Sequence, residues 1–592
     1  MNKAKTIITI LSVAFSCLPV TDAQAQNIPA FPGAEGHARY TTTGGRGGTV
    51  VHVTNLNDSG TGSFRDAVSS KNRIVVFDVS GYIDLQSDLT IKDNITIAGQ
   101  TAPGDGITLR YRTIRPGSNN IIRYIRFRRS QVKDVNDGAD ATWQRNKNNI
   151  ILDHCSFSWS IDEIASFYDN KNFTMQWCNV TEALANPGHN KGEHSYGGIW
   201  GGKDASFHHN FLAHMQNRVP RFNGARYGWD GYDKTLYENP VQSERVDFRN
   251  CVMYNWGTGG CYGGPGGGYI NMVNNYYKAG PGTSNKRQVT IASVANSTTA
   301  SGYESCWGYF SRYYINGNYV TDAGDQAENY DWKGVSYDSG LSTINGEKYI
   351  PDAKHLYGSK VEYVKNSDGV DCVSLKLEEP ISSGDVTTHD AQTAYEKVVE
   401  YCGASFVRDA CDIRYAEEAR TGTCVYTGTV TGRKGIIDFI QDPSATDNPN
   451  LVHFPELKKE SRPAGYDTDK DGIPDEWEDA NGLNKNNAAD GKTKTLDKKG
   501  WYTNVEVYLN SIVEHITKAQ NADALTPVDE YYPEYKDPST AIRPTLSTGK
   551  ARIEYFSLDG KRLAEPTEGI SIRRITYADG TQETVKVVKV AQ

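Results

Sequence analysis

Short runs in which apolar and polar residues alternate recur along the first half of the chain. They read RIVVFDVSGYIDL, NITIAGQ, NNIIRYIRFRRS, NNIILDHCSFS, NFTMQWCNV, DASFHHNFLAH, RVDFRNCVMYNW, YINMVNNYYK and YYINGNYV. Alternation with period two is the signature of a half-buried strand. Four of the runs begin at Asn94, Asn120, Asn149 and Asn172, spaced 26, 29 and 23 residues apart, and later intervals are longer. A loose repeat of that length, with one apolar strand and an Asn near its start, predicts a solenoid. Few helical periods intervene, so the coils are all strand. The fold predicted is all-β, a right-handed parallel β-helix; a propeller would need four strands per unit and a more regular period. Asn suits coil corners because it tolerates left-handed backbone and its amide can bond the next turn. Cys155 and Cys178, one coil apart, should be neighbours in the inner ladder.

The pattern changes after Tyr337. Residues 391–401 (AQTAYEKVVEY), with His389-Asp390 as a cap, and 407–421 (VRDACDIRYAEEART) have helical spacing, and are expected to close the end of the solenoid. Residues 442–450 read as a loop or linker. Asp467, Asp469, Asp471, Asp475 and Glu478 then fall at positions 1, 3, 5, 9 and 12 of a loop with Gly472 at 6, the oxygen-ligand spacing of a twelve-residue calcium loop. No basic or nucleophilic cluster adjoins it, so the expected site is structural. A helix is expected over 503–516. The predicted boundaries are 26–440 for the solenoid with its helices, 441–520 for the calcium segment, 521–550 for a linker and 551–592 for a small β module, in which SLDG and YADG are hairpin signals.

Composition narrows the class. A length of 592 residues predicts more than one domain, and 57 Gly with 36 Tyr fits strands joined by many turns. A net charge of −9 argues against nucleic acid as partner but not against an anionic substrate, since local charge or a metal overrides the sum. Residues 1–25 read as a secretory signal: Lys3 and Lys5, an apolar run from Ile7 to Leu18, and Ala23-Gln24-Ala25 before the cut. A lipoprotein signal at Cys17 is the alternative, weakened by the sequence AFSC. Export leads to a periplasmic, cell-surface or extracellular location. The mature chain keeps nine Cys, mostly small buried apolar residues, with Cys402, Cys411 and Cys424 the best disulfide candidates.

Chemistry concentrates between Asn149 and Phe222. Strand-like runs there end in Asp162 and Glu163, in Lys191, His194, His208 and His209, and in Arg218 and Arg221. Carboxylates followed by cations on successive strand ends suit a metal-assisted reaction on an anionic substrate. Bland readings stand beside this. Asp153-His154 and His208-His209 suit buried packing. The seven Arg between 110 and 129 suit either a groove or a solvated face. Asp137 and Asp140 suit a polar turn, and Trp143, Trp159 and Trp200 suit sugar stacking or the coil interior.

Several motifs carry a resemblance: FPGAEGHARYTTTGGRGG, TIAGQTAPGDGITL, IILDHCSFSWSIDE and HHNFLAHMQNRVPRF. From about Phe31 to Thr423 the chain resembles pectate lyases of the polysaccharide lyase family 1 type, in a form found in Bacteroidetes. The tail resembles, more weakly, the sorting modules of secreted proteins from that group. The resemblance implies a right-handed parallel β-helix that cleaves homogalacturonan with Ca2+ held by carboxylates on adjacent strands. It places active-site calcium at Asp137, Asp140, Asp162 and Glu163, the base at Arg218 of an Arg-x-Pro motif, and substrate contacts at Lys191, with His194 as a rival, and Arg221. The family often has an Asp where Ser166 stands here, which leaves a thinner metal site or a substitute in Asp169. An Arg often found further on is Asn223.

The chemistry fits those residue types. Eliminating a 4-linked uronate removes a weakly acidic C5 proton beside a carboxylate, and calcium on that carboxylate stabilises the resulting charge. A guanidine base implies an alkaline optimum, because free guanidinium stays protonated near neutral pH. The implied partner is polygalacturonate, handled by a monomer. The alternatives are a pectin lyase, a polygalacturonase, for which no second carboxylate at hydrolytic spacing is evident, and a non-catalytic glycan-binding solenoid.

Overall fold

A computed structural model describes residues 27–294, 310–338, 343–344, 347–351, 363–365, 369, 371–440, 453–538, 552–557, 561–563, 569–576 and 582–589. The signal-like start, Cys306 and the stretch 442–450 lie outside them. Residues 1–535 and 536–592 form two separate units.

The first unit is a right-handed parallel β-helix. One face is a ten-stranded sheet, all parallel, running from Thr49–Val53 through Arg73–Phe77, Ile95–Ala98, Asn120–Arg123, Asn148–Asp153, Lys171–Gln176, Lys203–His208, Arg245–Arg249 and Tyr269–Val273 to Arg312–Asn316. In register across it, Ile122, Leu152, Met175, Phe207, Phe248, Met272 and Ile315 form one inward ladder. That ladder is buried in the main apolar core. The alternating residues point outward, and Ile121 and Ile151 pack under Phe31, Ala34 and Ala38 of the N-terminal segment. Gly36 lies flat there at φ +76°, where a Cβ would strike Thr174 and Ser206.

Asparagines do mark the corner before this face. Asn72, Asn94, Asn119, Asn149 and Asn172 all have left-handed backbone, and Asn94 donates to Asn72 at 2.9 Å, Asn119 to Asn94 at 2.9 Å and Asn172 to Asn149 at 3.0 Å. The corner residue is Asn119 rather than its neighbour Asn120, which bonds Gly117 and Lys92 instead. The corner after the face is left-handed too, but there Tyr124, His154, Trp177 and His209 supply it. Their rings stack, with centroids 4.7, 6.2 and 4.2 Å apart in turn. His208 and His209 are thus packing residues, and Asp153-His154 is a buried pair tied to Arg123. Cys155 and Cys178 meet as expected, the Cys155 N–H donating to Cys178 Sγ at 3.4 Å.

The other two faces belong to one sixteen-stranded sheet. They join because strand Phe211–Phe222 runs through the corner unbroken. Its start pairs with Asn179–Thr181 and its end with Ile199–Trp200.

Helices Ala391–Tyr401 and Ala410–Thr421 form where predicted, capped by Asp390 and Asp409. They do not close the end of the solenoid but lie along its flank. Buried Arg128 bonds both Asp409 and Asp412, and Glu182 bonds Arg414 and Tyr415. This also corrects both readings for four residues of the arginine run: Arg123, Arg126, Arg128 and Arg129 are buried ties, while Arg115 stays on the third face. The expected helix over 503–516 breaks at Ile512 and Val513 into Asn504–Ser511 and Glu514–Gln520. Residues up to Tyr535 are docked rather than linker-like: Thr526 pairs with Thr388, Glu530 with Arg39, and Tyr531 with Asp497. Cys402, Cys411 and Cys424 are free thiols, not a disulfide. The second unit contains an antiparallel sheet of Arg562–Leu563, Arg552–Phe556, Gly569–Thr576 and Gln582–Lys589 in that order.

Candidate active site

The third face carries the chemistry. Its strands include Ile114–Arg115, Thr142–Gln144, Ala165–Phe167, Ile199–Trp200 and the end of Phe211–Phe222. Trp143 lies opposite Ser166, Ile199 opposite Arg221, and Arg221 opposite Tyr262. Side chains two apart on a strand share a face, so the outward row is set by register. Trp200 points inward and is fully buried, as is Trp159 in the flank core, while Trp143 stays half-buried with Arg115 5.3 Å from its ring.

Acids gather where loops leave these strands. Asp140, Asp162 and Glu163 each bring a carboxylate oxygen within 4.8 Å of the others. The Glu163 N–H donates to Asp140 Oδ1 at 3.1 Å, which fixes the two turns against each other. Burial, then the charge of Asp162, pushes the Asp140 carboxyl well above its usual range. Arg218 forms an ion pair with Glu163, and its guanidinium stands 4.2 Å from the Tyr196 ring centroid. The Arg218 backbone is left-handed, at φ 58°, and its N–H donates to Asn217 Oδ1 at 2.8 Å. The strand therefore turns this one side chain toward the acids while Arg221 stays on the sheet row.

Of the four acids expected at one metal, Asp137 stands apart. It accepts the Asn190 N–H at 3.0 Å and lies 3.8 Å from His189. Asp169 is no substitute ligand either: it is buried against Lys203, which also bonds Glu244 at 2.6 Å. Lys191 is exposed on the loop before strand Ile199–Trp200. His194 is buried beside Asp162, with Nε2 3.4 Å from its carboxylate. Tyr196 and His189 were not singled out from sequence; only their place in the HNKGEHSYGG run pointed to them. Burial, then His194, lowers the His189 pKa.

The calcium-type loop is a separate site. Asp467, Asp469 and Asp471 group within 4.8 Å, and Asp471 groups again with Glu478 and Asp490. Asp475 is spent on Thr468, accepting its N–H and its hydroxyl, both at 2.7 Å. Asp490, missed because it lies outside the twelve-residue spacing, comes in beside it. Gly491 follows, where a Cβ would stand 2.1 Å from Asp471 Oδ2. Glu478 is fully buried and neither of its oxygens has a hydrogen-bond donor. Burial, then Asp471, raises Glu478 to about 9, and burial raises Asp471 to about 7. Such orphaned oxygens fit a hard cation. The three groove acids fit one as well, being oxygen-only and mostly buried, with their carboxylate oxygens gathered together.

The first unit is thus a parallel β-helix that gathers three acids and an arginine on one sheet face. No family model matches the chain. Probable pectate lyase C of Aspergillus flavus is 32% identical over 494 residues, covering 82% of this chain and 94% of its own length. The Aspergillus fumigatus protein of the same name is 33% identical over 493 residues, with the same coverage. The chain belongs to the pectate lyase family, and so to the polysaccharide lyases. Among solved structures, a pectate lyase bound to hexasaccharide aligns with 65% of this chain and 100% of its own, at 14% identity and a TM-score of 0.35. Jun a 1, the major allergen from cedar pollen, aligns with 56% of this chain and 88% of its own, at 16% identity and a TM-score of 0.31. At those scores the fold rests on the strand register described above. No helix among the described residues is long and apolar enough to cross a membrane.

Proposed function

We propose that the chain is an exported, calcium-dependent pectate lyase that cleaves de-esterified homogalacturonan by β-elimination to 4,5-unsaturated oligogalacturonides. The meeting of Asp140, Asp162 and Glu163 with Arg218 on one sheet face carries this reading. Calcium held by the three carboxylates would neutralise the uronate carboxylate and stabilise the enolate-like charge left when the C5 proton goes. Arg218 takes that proton on a guanidine nitrogen. It must first let go of Glu163, and the Tyr196 face keeps its plane in place meanwhile. Its neutral form is required, so turnover rises toward alkaline pH. Arg221 holds a neighbouring uronate carboxylate in a bidentate fork, and Lys191 holds another as a point charge. His194 stands beside Asp162 at the edge of this site.

The loop of Asp467, Asp469, Asp471 and Glu478, joined by Asp490, holds a second, structural calcium. Ile473 of that loop packs with Ile74 and Val76 on the outside of the first sheet, so filling it fastens the first coils. Residues 1–25 direct export, and the tail beyond 551 serves sorting to the cell surface.

One assay tests the central claim. Polygalacturonate should yield a rising ultraviolet signal from unsaturated product, abolished by chelator and restored by Ca2+. Methyl-esterified pectin should yield far less. Equal rates on both substrates, or turnover that survives chelation, would overturn the calcium-assisted reading.

A further inference from the structure

Asp162 faces two ways. On one side it closes the oxygen group with Asp140 and Glu163. On the other it forms a second group with His189 and His194, one ligand atom from each lying within 4.8 Å of the others. Both imidazoles are withdrawn from solvent, at 6% and 4% exposure. The His194 Nδ1–H donates to the Gly192 carbonyl at 3.1 Å. That fixes the tautomer and leaves the Nε2 lone pair toward Asp162, 3.4 Å away. A ring nitrogen held by a backbone carbonyl while the other faces a ligand site is how metal-bound histidine is oriented. His189 stacks on His194 with centroids 3.7 Å apart. Its Nδ1 accepts the Lys191 N–H at 3.1 Å and has Asp137 Oδ1 at 3.8 Å.

Two imidazoles and a carboxylate are not a calcium set. Nitrogen donors select a borderline ion, and three protein ligands leave a position open. We propose that His189, His194 and Asp162 bind a transition-metal ion of the zinc type. Asp162 is then shared with the oxygen group next to it, so the two ions influence each other. This site does not depend on the lyase reading, because its occupancy is measured without substrate.

Titration of Zn2+ into the full chain, stripped with chelator and then saturated with Ca2+, reads the site directly. We expect a Zn2+ binding step that weakens about tenfold or more in His189→Ala and in His194→Ala. Co2+ in place of Zn2+ should give visible ligand-field bands that both variants lose. In wild type, Zn2+ should raise the Ca2+ concentration needed for half-maximal turnover. Both histidines lie in a loop, and an unchanged Tm in the variants checks that they fold. Anomalous scattering at the zinc edge from wild-type crystals gives a test without any variant. No peak beside Asp162, or Zn2+ binding undiminished in the double variant, overturns the proposal.

Discussion

The groove and the calcium-type loop both crowd carboxylates together, yet they answer the crowding differently. In the groove, Glu163 has a protein cation of its own in Arg218, and the group opens onto an exposed sheet face. In the loop, Glu478 has no donor at all, and its carboxyl is pushed up to about 9 by burial. A buried carboxylate without a partner costs several kcal/mol unless it takes a proton or a metal. On the proposed reading, the loop would hold an ion continuously, because Glu478 has no other partner. The groove would exchange its ion, because Arg218 can pair with Glu163 when the metal is gone.

The largest expected effect separates the two. Replacing Arg218 with Ala should lower kcat by about 10²–10⁴-fold, while the calcium-dependent rise in Tm stays as in wild type. Loss of that rise in the same variant would merge the two sites.

A third acid pair tests whether the protein's own cation is what compensates. Lys203 lies buried between Asp169 and Glu244, and burial lifts both carboxyls. Lys203→Met should cost about 3–5 kcal/mol in chemical denaturation, as breaking a buried pair does. Added calcium should not recover it. Recovery by calcium would mean that this pair too is a metal site.

Glu478→Gln sharpens the loop side. With chelator, removing a carboxyl that must take up a proton to stay buried should stabilise the protein. At calcium a hundredfold above its dissociation constant, the wild type gains about 2.7 kcal/mol, and the variant should gain much less. The two Tm curves should cross as calcium is raised, and curves that never cross would refute a permanent ion.

The smallest effect keeps acid loss from being blamed on either site. Burial lowers His208 to about 3 and His209 well below its ordinary value. Both stay neutral in the folded chain below the pH at which they charge when unfolded. The unfolded state then binds more protons, so their contribution is complete above about pH 6.5 and is lost as pH falls toward 3. Each adds a slope of up to about 1.4 kcal/mol per pH unit across that window. His208→Gln should flatten the fall of denaturation free energy below pH 6, and an unchanged slope would assign it to the carboxylates.

Much of the solenoid was legible because its code is local. Period-two alternation, with asparagines at a left-handed corner from Asn72 to Asn172, repeats from coil to coil, so each supports the reading of the next. The second corner was less legible. Tyr124, His154, Trp177 and His209 share a backbone state but no single residue type, and their stacking is visible only in three dimensions. The arginine run misled for a related reason. Arg128 finds Asp409 281 residues later, and no pattern within the run announces that. In the site, Asp162 and Glu163 follow the end of strand Ser156–Ser158, and Arg218 is named as base only through the Arg-x-Pro motif of the resemblance. Asp137 and Asp140 sit in one short loop, where spacing alone could not show that only the second turns inward. Asp490 illustrates the same limit: a ligand motif defines a loop, and a carboxylate brought in from outside it leaves no mark in the spacing.

The unbroken passage of strand Phe211–Phe222 from one face to the next has a consequence for how such an enzyme diversifies. The groove acids Asp140, Asp162 and Glu163 hang from connections whose length can drift over generations, widening or roofing the cleft. Arg218 hangs from none, because no connection exists at that corner to be lengthened. Natural variation can therefore rebuild the walls of the cleft around a fixed Arg218, and laboratory shuffling of its loops should begin from the same division.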